Sequence, residues 1–262
     1  MVTYLDLGRM GRLGNQMFEI ASTIGIALKN DQEFSFPEWV CHHSMSDYSN
    51  IFVNRLPKLT INKNVVNVSE NSFSYNDIIL PKNDEIYCLK GYFQSEKYFE
   101  NYKDTINYYF TLKPEIENFI LNKYKNILPN SCSIHIRRGD YLKQVNHHPV
   151  QSLSYYHNAI ETIYGKDIDD INFLIFSDDI KWCEENISLP KVYFIENNSN
   201  IIDMFLMSKC DNNIIANSSF SWWGAWLNKN KDKKVITPLE WFGVNYSNLE
   251  VKDLIPKQWV KI

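Results

Sequence analysis

Short apolar runs and longer amphipathic segments alternate along the second half of the chain. The apolar runs have the length and composition of buried parallel strands, and they lie at 132–136, 171–176, 192–195, 214–216 and 234–237. The segments between them have helical spacing, and they lie at 153–164, 178–185, 201–209 and 220–227. Ser152 can cap the first of these helices. This alternation predicts a parallel sheet with right-handed crossovers.

The first half of the chain is less regular. Its predicted elements are a strand at 4–7, a helix at 17–28, a strand and turn at 86–94, and helices at 96–110 and 114–124. Residues 30–100 otherwise mix aromatic, polar and turn residues without sustained periodicity. We therefore expect an α/β chain that divides near residue 129 into domains 1–128 and 129–262.

Composition narrows the class of protein. The hydrophobic content of 44% is sufficient for a large core, and the net charge of −4 provides no basic surface for a nucleic acid. No apolar run reaches the roughly 18 residues of a membrane span, and the first residues resemble a strand rather than a signal peptide. The five cysteines are scattered without CxxC spacing, which predicts reduced thiols in a cytoplasmic protein.

Polar residues follow the predicted strands at the positions where ligands bind in open α/β sheets. Arg137, Arg138 and Asp140 follow the first strand of the second half, and the next three strands are followed by 177–179, 196–198 and 217–219. Adjacent guanidiniums favour a diphosphate because arginine binds phosphate oxygens in pairs and stays charged. A strand-end salt bridge for the arginines and ordinary helix caps at 178–179 and 217–219 are the alternatives.

A glycine loop precedes the first helix. Its glycines, Gly8, Gly11 and Gly14, are three residues apart, unlike the dinucleotide fingerprint. Asn15 and Gln16 at the start of the helix are suited to hydrogen-bond sugar hydroxyls. A tight strand-to-helix turn is the alternative.

The sequence predicts no metal site. The Asp-x-Asp pattern at 167–169 precedes its strand, so it belongs to the opposite edge of the sheet and is expected to be a solvated turn. His147, His148 and His157 lack carboxylate or cysteine partners at ligand spacing, so surface or structural roles are expected. Trp222, Trp223 and Trp226 are expected in the core rather than in a sugar-binding platform, and helical spacing places Trp222 and Trp226 on one face.

Three blocks of the chain carry a family resemblance. They are Gly-Arg-Leu-Gly-Asn-Gln-Met-Phe at 11–18, His-Ile-Arg-Arg-Gly-Asp-Tyr at 135–141 and Asn-Ser-Ser-Phe-Ser-Trp-Trp-Gly at 217–224. With these blocks the chain resembles the α-1,2-fucosyltransferase family, particularly its bacterial members. The resemblance implies a GT-B-like fold, with two Rossmann-like domains facing across a cleft. Residues 1–128 would form the acceptor side and residues 129–262 would bind GDP-fucose.

The resemblance also implies site residues. The donor-binding set would be Gly14, His135, Arg137, Arg138, Asp178, Asp179, Asn217, Ser218, Ser219 and Phe220. Arg137 would hold the β-phosphate, His135 would lie near the guanosine, and the second carboxylate of 178–179 would read the guanine. The catalytic candidates are Arg137, Asp140 and Asn15. Asp140 is suited either to accept the acceptor proton or to brace an arginine.

The function implied by the resemblance is inverting transfer of L-fucose from GDP-β-L-fucose to the 2-hydroxyl of a terminal β-galactoside, without a metal or other cofactor. The expected partners are GDP-fucose and a galactose-terminated glycan. A lipid-linked acceptor would bring the protein to the inner membrane surface. Two alternatives stay open, namely a fucosyltransferase of another linkage such as α-1,6, and a non-catalytic module that binds a nucleotide or a glycan.

Overall fold

The protein consists of two compact α/β units in a computed structural model that describes residues 1–262. The N-terminal unit contains Met1–Glu117 and Leu249–Pro256, and the C-terminal unit contains Asn118–Asn248 and Lys257–Ile262. The chain therefore crosses between the units within a helix and returns to the N-terminal unit near its end.

The N-terminal unit is built on a small parallel sheet. Its strands are β1 (Val2–Thr3), β2 (Val40–Cys41), β3 (Ser46–Asp47), β4 (Val65–Ser69) and β5 (Ile86–Lys90). Its helices are α1 (Leu13–Lys29) and α2 (Lys103–Tyr109), and α3 (Pro114–Tyr124) runs across the division. The main sheet has the order β1-β5-β4, and β2 and β3 form a separate antiparallel pair. Nearly every residue of α1 is buried, because this helix supplies much of the core of the unit.

Two predictions for this half are wrong. Strand β1 ends at Thr3 and residues 4–7 form turns, because the amides of Leu7 and Arg9 donate to the carbonyls of Tyr4 and Asp6. The segment predicted as one helix over 96–110 is broken by Phe99 (φ −137°, ψ 4°), so two 3₁₀ turns, Glu96–Tyr98 and Glu100–Tyr102, precede α2.

Strand β4 was not predicted from the sequence. Its residues at the sheet edge are half-buried or exposed, so they lack a buried apolar run.

The C-terminal unit contains a six-stranded parallel sheet. The alternating pattern predicts five of its strands and their parallel pairing, but not the short strand at the end of the chain. Its strands are β6 (Ser131–Ile136), β7 (Asn172–Ser177), β8 (Val192–Phe194), β9 (Asn212–Ile214), β10 (Val235–Thr237) and β11 (Val260–Lys261). Its helices are α4 (Leu153–Tyr164), α5 (Ile180–Asn186), α6 (Asn200–Met207) and α7 (Ser219–Trp226), with 3₁₀ turns at Asp140–Lys143 and Val244–Tyr246. The strand order is β11-β10-β9-β6-β7-β8, and every neighbouring pair is parallel.

The centre of this sheet is fully buried. Every residue of β6 is buried, and β6 lies between β7 and β9. Helix α4 begins at the predicted cap, because the Ser152 hydroxyl accepts the amide of Tyr155. Trp222 and Trp223 are fully buried, which confirms the core role expected for them, whereas Trp226 is half-buried. Since all six strands run in the same direction, the residues that follow them collect at one edge.

Candidate functional site

The arginine pair lies at the carboxyl end of the central strand. Strand β6 ends at Ile136, so Arg137 and Arg138 leave the sheet directly, with side chains only 17% and 15% exposed. One terminal nitrogen of Arg137 lies 2.6 Å from a carboxylate oxygen of Asp178, and its other terminal nitrogen pairs with Asp140. Arg138 Nε donates to Asp179 at 3.0 Å. The loops after β6 and β7 therefore meet, as the shared sheet edge predicts.

Backbone geometry holds the two aspartates in place. The amide of Arg138 donates to Asp178 Oδ1 at 2.9 Å. A Cβ atom at Gly139 would lie 2.3 Å from the other Asp178 oxygen, so only glycine leaves room for this contact. Asp179 caps α5 by accepting the amide of Trp182. Asp179 therefore has the helix-cap role that was the alternative to ligand binding, and the same carboxylate also pairs with Arg138.

Trp182 contacts the arginine pair, and no motif in the sequence predicts this contact. The Arg138 guanidinium carbon lies 3.7 Å from a ring centroid of this half-buried tryptophan, which is a close cation–π contact. Trp182 lies three residues after Asp179, the position whose backbone amide a helix cap normally binds. This position in the helix therefore gives no reason to expect a contact with an arginine. No local sequence signal connects it with an arginine 44 positions earlier (182 − 138), because only the sheet brings the two loops together.

His135 lies beneath the site rather than at its surface. The side chain is buried, and its Nδ1 lies 2.8 Å from the hydroxyl of Ser221 on α7. Burial and, to a smaller extent, the nearby Arg137 charge lower the pKa of His135 to about 3. The imidazole is therefore neutral and links β6 to α7. Its implied contact with guanosine stays a prediction, and no pattern in the sequence predicts its pairing with Ser221.

The segment before α7 combines a cap with a buried amide. Ser218 caps the helix, and its hydroxyl accepts the amide of Phe220 at 3.3 Å. The buried Asn217 donates to the carbonyls of Pro149 and Trp241, at 3.0 Å in both cases. Asn217 thus joins three loops at the same edge of the sheet. Contacts of Asn217, Ser218, Ser219 and Phe220 with a diphosphate stay predictions.

In the N-terminal unit, the glycine loop forms the tight turn that was the alternative interpretation. Gly8 and Gly11 have φ values of +86° and +60°, which side chains rarely adopt. Gly14 lies inside α1, and Asn15 Oδ1 accepts a hydrogen bond from Gln94 at 2.9 Å. The sugar-binding role expected of Gln16 is wrong. Its side chain is buried and bonds to the Gly11 carbonyl and the Trp39 indole.

The Asp-x-Asp segment at 167–169 lies two residues before β7 and both of its aspartates are exposed, which confirms the predicted solvated turn. No group of three or more His, Cys, Asp or Glu side chains is arranged to hold a metal ion. The five cysteines are buried free thiols. No helix combines the length and the apolarity that a bilayer crossing requires.

The arrangement is suited to bind an anion with several oxygens. A guanidinium has five N–H donors, and the pairs with Asp140 and Asp178 account for two of those of Arg137. The carboxylates fix the orientation of both guanidiniums, so a bound phosphate would meet cations that are already positioned.

Comparison with known proteins identifies the family. The model of "Glycosyl transferase family 11" matches residues 3–262. The O-antigen biosynthesis glycosyltransferase WbnK of Escherichia coli is 41% identical over 64% of this chain and 60% of its own length. The α-1,2-colitosyltransferase of Escherichia coli is 31% identical over 96% of both chains. The galactoside α-(1,2)-fucosyltransferase 2 of Oryctolagus cuniculus is 26% identical over 84% of this chain and 66% of its own length.

Solved structures show the fold. NodZ α-1,6-fucosyltransferase co-crystallised with GDP superposes with a TM-score of 0.57 at 15% identity, over 85% of this chain and 90% of NodZ. POFUT1 in its apo form has a TM-score of 0.56 at 10% identity, over 90% of this chain and 97% of POFUT1. The predicted α/β, GT-B-like fold is therefore confirmed.

Proposed function

Because the chain belongs to glycosyltransferase family 11, we propose that it transfers L-fucose from GDP-β-L-fucose to the 2-hydroxyl of a terminal β-galactoside, with inversion at the anomeric carbon. The observation that carries this proposal is the braced pair Arg137 and Arg138 at the carboxyl end of β6, in a chain related to α-1,2-fucosyltransferases. The arrangement suits a donor that carries a diphosphate.

In this mechanism Arg137 stabilises the leaving group. The bond between the anomeric carbon and the β-phosphate oxygen breaks, and negative charge grows on the phosphate. A guanidinium held by Asp140 and Asp178 stabilises that charge without reorganising. The acceptor oxygen attacks from the opposite face, which converts the β-linked donor into an α-linked product.

The remaining donor-binding roles follow the order of the loops. Arg138, Ser218 and Ser219 would contact the diphosphate, and a carboxylate of 178–179 would accept hydrogen bonds from the guanine. Asn15 would contact the fucosyl group or the acceptor. We assign no metal to the reaction, because the arginines supply the positive charge that a cation would otherwise bring.

The proton of the acceptor hydroxyl needs a destination. Asp140 is paired with Arg137, which favours its bracing role over that of a base. A strongly dissociative transfer needs little help from a base, so the proton can pass to water on the acceptor side once the new bond has formed.

One relative favours a second candidate function. The α-1,2-colitosyltransferase aligns over 96% of both chains at 31% identity, so GDP-colitose is the alternative donor for the same site. Another relative is named for O-antigen biosynthesis, which favours a surface-polysaccharide acceptor. If that acceptor is lipid-linked, the protein would work at the surface of the inner membrane.

The test is an assay of the pure protein in EDTA. GDP-fucose or GDP-colitose is offered with lactose, N-acetyllactosamine or a Galβ1,3GalNAc glycan, and GDP release, product mass and linkage are measured. We expect acceptor-dependent GDP release from GDP-fucose and a 2-O-fucosylated galactose. Preference for GDP-colitose would establish the second candidate. Absence of GDP release together with absence of GDP-fucose binding in calorimetry would refute both donors.

A further inference from the structure

Two loops of the C-terminal unit pack their rings together beside the arginine pair. We call these rings the ring cluster, and its members are Tyr141, His147, His148, Phe242 and Tyr246. The Tyr141 and His148 rings stack with centroids 4.8 Å apart. The centroid of the Tyr246 ring lies 4.9 Å from that of His147 and 5.5 Å from that of Phe242. The sequence analysis predicts only surface or structural histidines in the first loop, and no pattern along the chain predicts this cluster.

The backbones of the two loops are joined. The amide of Gly243 donates to the His147 carbonyl at 2.9 Å, and the amide of Asn245 donates to the Asn146 carbonyl at 2.8 Å. A Cβ atom at Gly243 would lie 2.5 Å from the Asn146 carbonyl oxygen, so this close approach requires glycine. The rings are therefore held in place before any ligand arrives, which lowers the entropic cost of binding.

The cluster reaches the arginine itself. The guanidinium carbon of Arg137 lies 5.2 Å from the centroid of the Tyr141 ring, and the Tyr141 hydroxyl donates to the Asn217 carbonyl at 3.0 Å. His148 stacks on Tyr141. Burial lowers the pKa of His148, and the charges of Asp140, His147 and Arg137 act on it to smaller extents. A neutral imidazole at this position offers one hydrogen-bond donor and one acceptor.

The outer side of the cluster is open and apolar. The Tyr246 residue is 37% exposed, and Val145 and Val244 on the same two loops are 50% and 72% exposed. Leu142, in the 3₁₀ turn that begins at Asp140, is 49% exposed. Exposed apolar residues that lie together next to a polar site mark a place where something else binds.

We propose that the ring cluster binds the acceptor sugar, so that the C-terminal unit contributes to the acceptor site besides the residues 1–128 implied by the resemblance. This inference rests on the proposed function. The acceptor oxygen must come within roughly 3–3.5 Å of the anomeric carbon, which is bonded to the phosphate that Arg137 would hold. The acceptor sugar must therefore lie no farther from Arg137 than about the width of the fucosyl ring. Tyr141, the cluster member beside Arg137, lies in this region. A pyranose has an apolar C–H face and a polar rim, which match the Tyr246 ring face and the His147 and Asn245 side chains.

The decisive experiment uses the full chain and initial rates. Tyr246→Ala is compared with Tyr246→Phe, and N-acetyllactosamine is varied at saturating GDP-fucose, then the reverse. We expect Tyr246→Ala to raise the KM for the acceptor about tenfold, with the KM for GDP-fucose and its acceptor-independent hydrolysis unchanged. Tyr246→Phe should keep the wild-type KM because it keeps the ring face. Phe119→Ala on α3 is the matched control, since Phe119 is a ring of the same unit that is 50% exposed.

Other outcomes overturn the inference. A raised KM for GDP-fucose alone would make the cluster part of the donor site. Unchanged KM values, or equal losses for both substrates with a lowered Tm, would leave the rings a purely structural role. Binding of the wild type to anionic vesicles that Val244→Glu abolishes, with the acceptor KM unchanged in that variant, would make this surface a membrane contact.

The inference can also be separated from the proposed function. If the wild type transfers no fucose, saturation-transfer NMR of lactose with the GDP-loaded protein replaces the kinetic assay. A lactose signal that Tyr246→Ala abolishes would support acceptor binding at the ring cluster even though the donor proposal had failed. A signal that the substitution leaves unchanged, or the absence of any signal, would refute acceptor binding at the ring cluster.

Discussion

Three carboxylates hold two guanidiniums at the end of β6. Asp140 and Asp178 pair with Arg137, and Asp179 pairs with Arg138. The side chains of both arginines are mostly buried, so these pairs are less screened by water than ordinary surface pairs. The orientation of each arginine therefore depends on its aspartate partners. Substitutions of an arginine or of an aspartate can distinguish the effect of the positive charge from the effect of its orientation.

We predict that Arg137→Ala lowers kcat by about 10²–10³-fold, because loss of a positioned donor to a developing anion costs about 2.7–4 kcal/mol. Arg137→Lys keeps the charge but loses the forked geometry that pairs with two carboxylates, so it should recover only part of the rate. Initial rates with GDP-fucose, with circular dichroism as the folding control, check this. Full activity of the alanine variant would refute the assignment.

Asp140→Asn distinguishes bracing from base catalysis. We expect weaker GDP binding in calorimetry and a lower kcat, with the shape of the pH–rate profile unchanged, because the amide loses the charged pair with Arg137. Asp170→Asn is the control, since Asp170 is an exposed aspartate paired with Lys191 before β7. A base would behave differently, with unchanged GDP affinity and the loss of one limb of the pH profile.

Helix α1 contains a buried carboxyl group. Glu19 is fully buried, and neither of its oxygens has a hydrogen-bond partner. Burial, with smaller contributions from Asp6 and Cys41, raises the pKa of Glu19 to about 9. The folded protein therefore keeps this proton over a pH range in which the unfolded chain releases it. Stability should fall as pH rises from about 4.5 to about 9, at up to about 1.4 kcal/mol per pH unit.

Glu19→Gln removes this titration while preserving size. We expect the variant to gain stability relative to the wild type as pH rises from 6 to 8, by up to about 2.7 kcal/mol over the two units. Urea unfolding at several pH values measures the difference. Glu115→Gln, at an exposed position on α3, should show no such trend. A pH-independent difference between wild type and Glu19→Gln would show that Glu19 is already ionised in the folded state.

Gly25 shows how packing overrides helix propensity in α1. Alanine usually stabilises a helix interior by about 1 kcal/mol relative to glycine. A Cβ atom at Gly25 would lie 2.0 Å from the backbone oxygen of Tyr98, so the first 3₁₀ turn approaches the helix at this point. We predict that Gly25→Ala instead destabilises the protein by about 1–3 kcal/mol. Thermal unfolding checks the sign, and a stabilised variant would contradict the contact.

The last residues of the chain belong to both units. Asp253 in the N-terminal unit pairs with Lys97 and accepts the amide of Tyr75, while its carbonyl accepts the Ser95 hydroxyl. Strand β11 then completes the edge of the large sheet. Leu254, Ile255 and Trp259 are buried, so these fourteen residues (249–262) contribute to two cores.

We predict that deletion of residues 249–262 abolishes cooperative unfolding. Three large buried side chains at about 1.5–3 kcal/mol each are comparable with the whole stability of a typical domain. Asp253→Ala should keep a cooperative transition and lose only about 1.5–3 kcal/mol, the value of hydrogen bonds to a charged group. Calorimetry of both variants tests this. A deletion variant that melts like the wild type would show that the segment adds little.

The large sheet was predictable because its strands are buried on both faces and appear as continuous apolar runs. Strand β4 was not, because an edge strand of half-buried and exposed residues has no such pattern. Residues 4–7 have strand-like composition, yet backbone hydrogen bonds turn them away from the sheet. The site residues at 137–140 and 178–179 could be found from the direction of the strands. Trp182 and Ser221 could not, because their contacts join segments far apart in the chain.

Patterning along the chain is sufficient to predict the chemical types and their order. These are two arginines at a strand end, carboxylates after the next strand, and a capped helix after the fourth strand. These follow from local hydrophobic patterning and from the common direction of parallel strands. Tertiary structure alone decided which carboxylate holds which arginine, that His135 is buried and neutral, and that five rings meet beside Arg137. Ion pairs, burial and ring contacts depend on distances across the fold, and a pattern along the chain does not encode those distances.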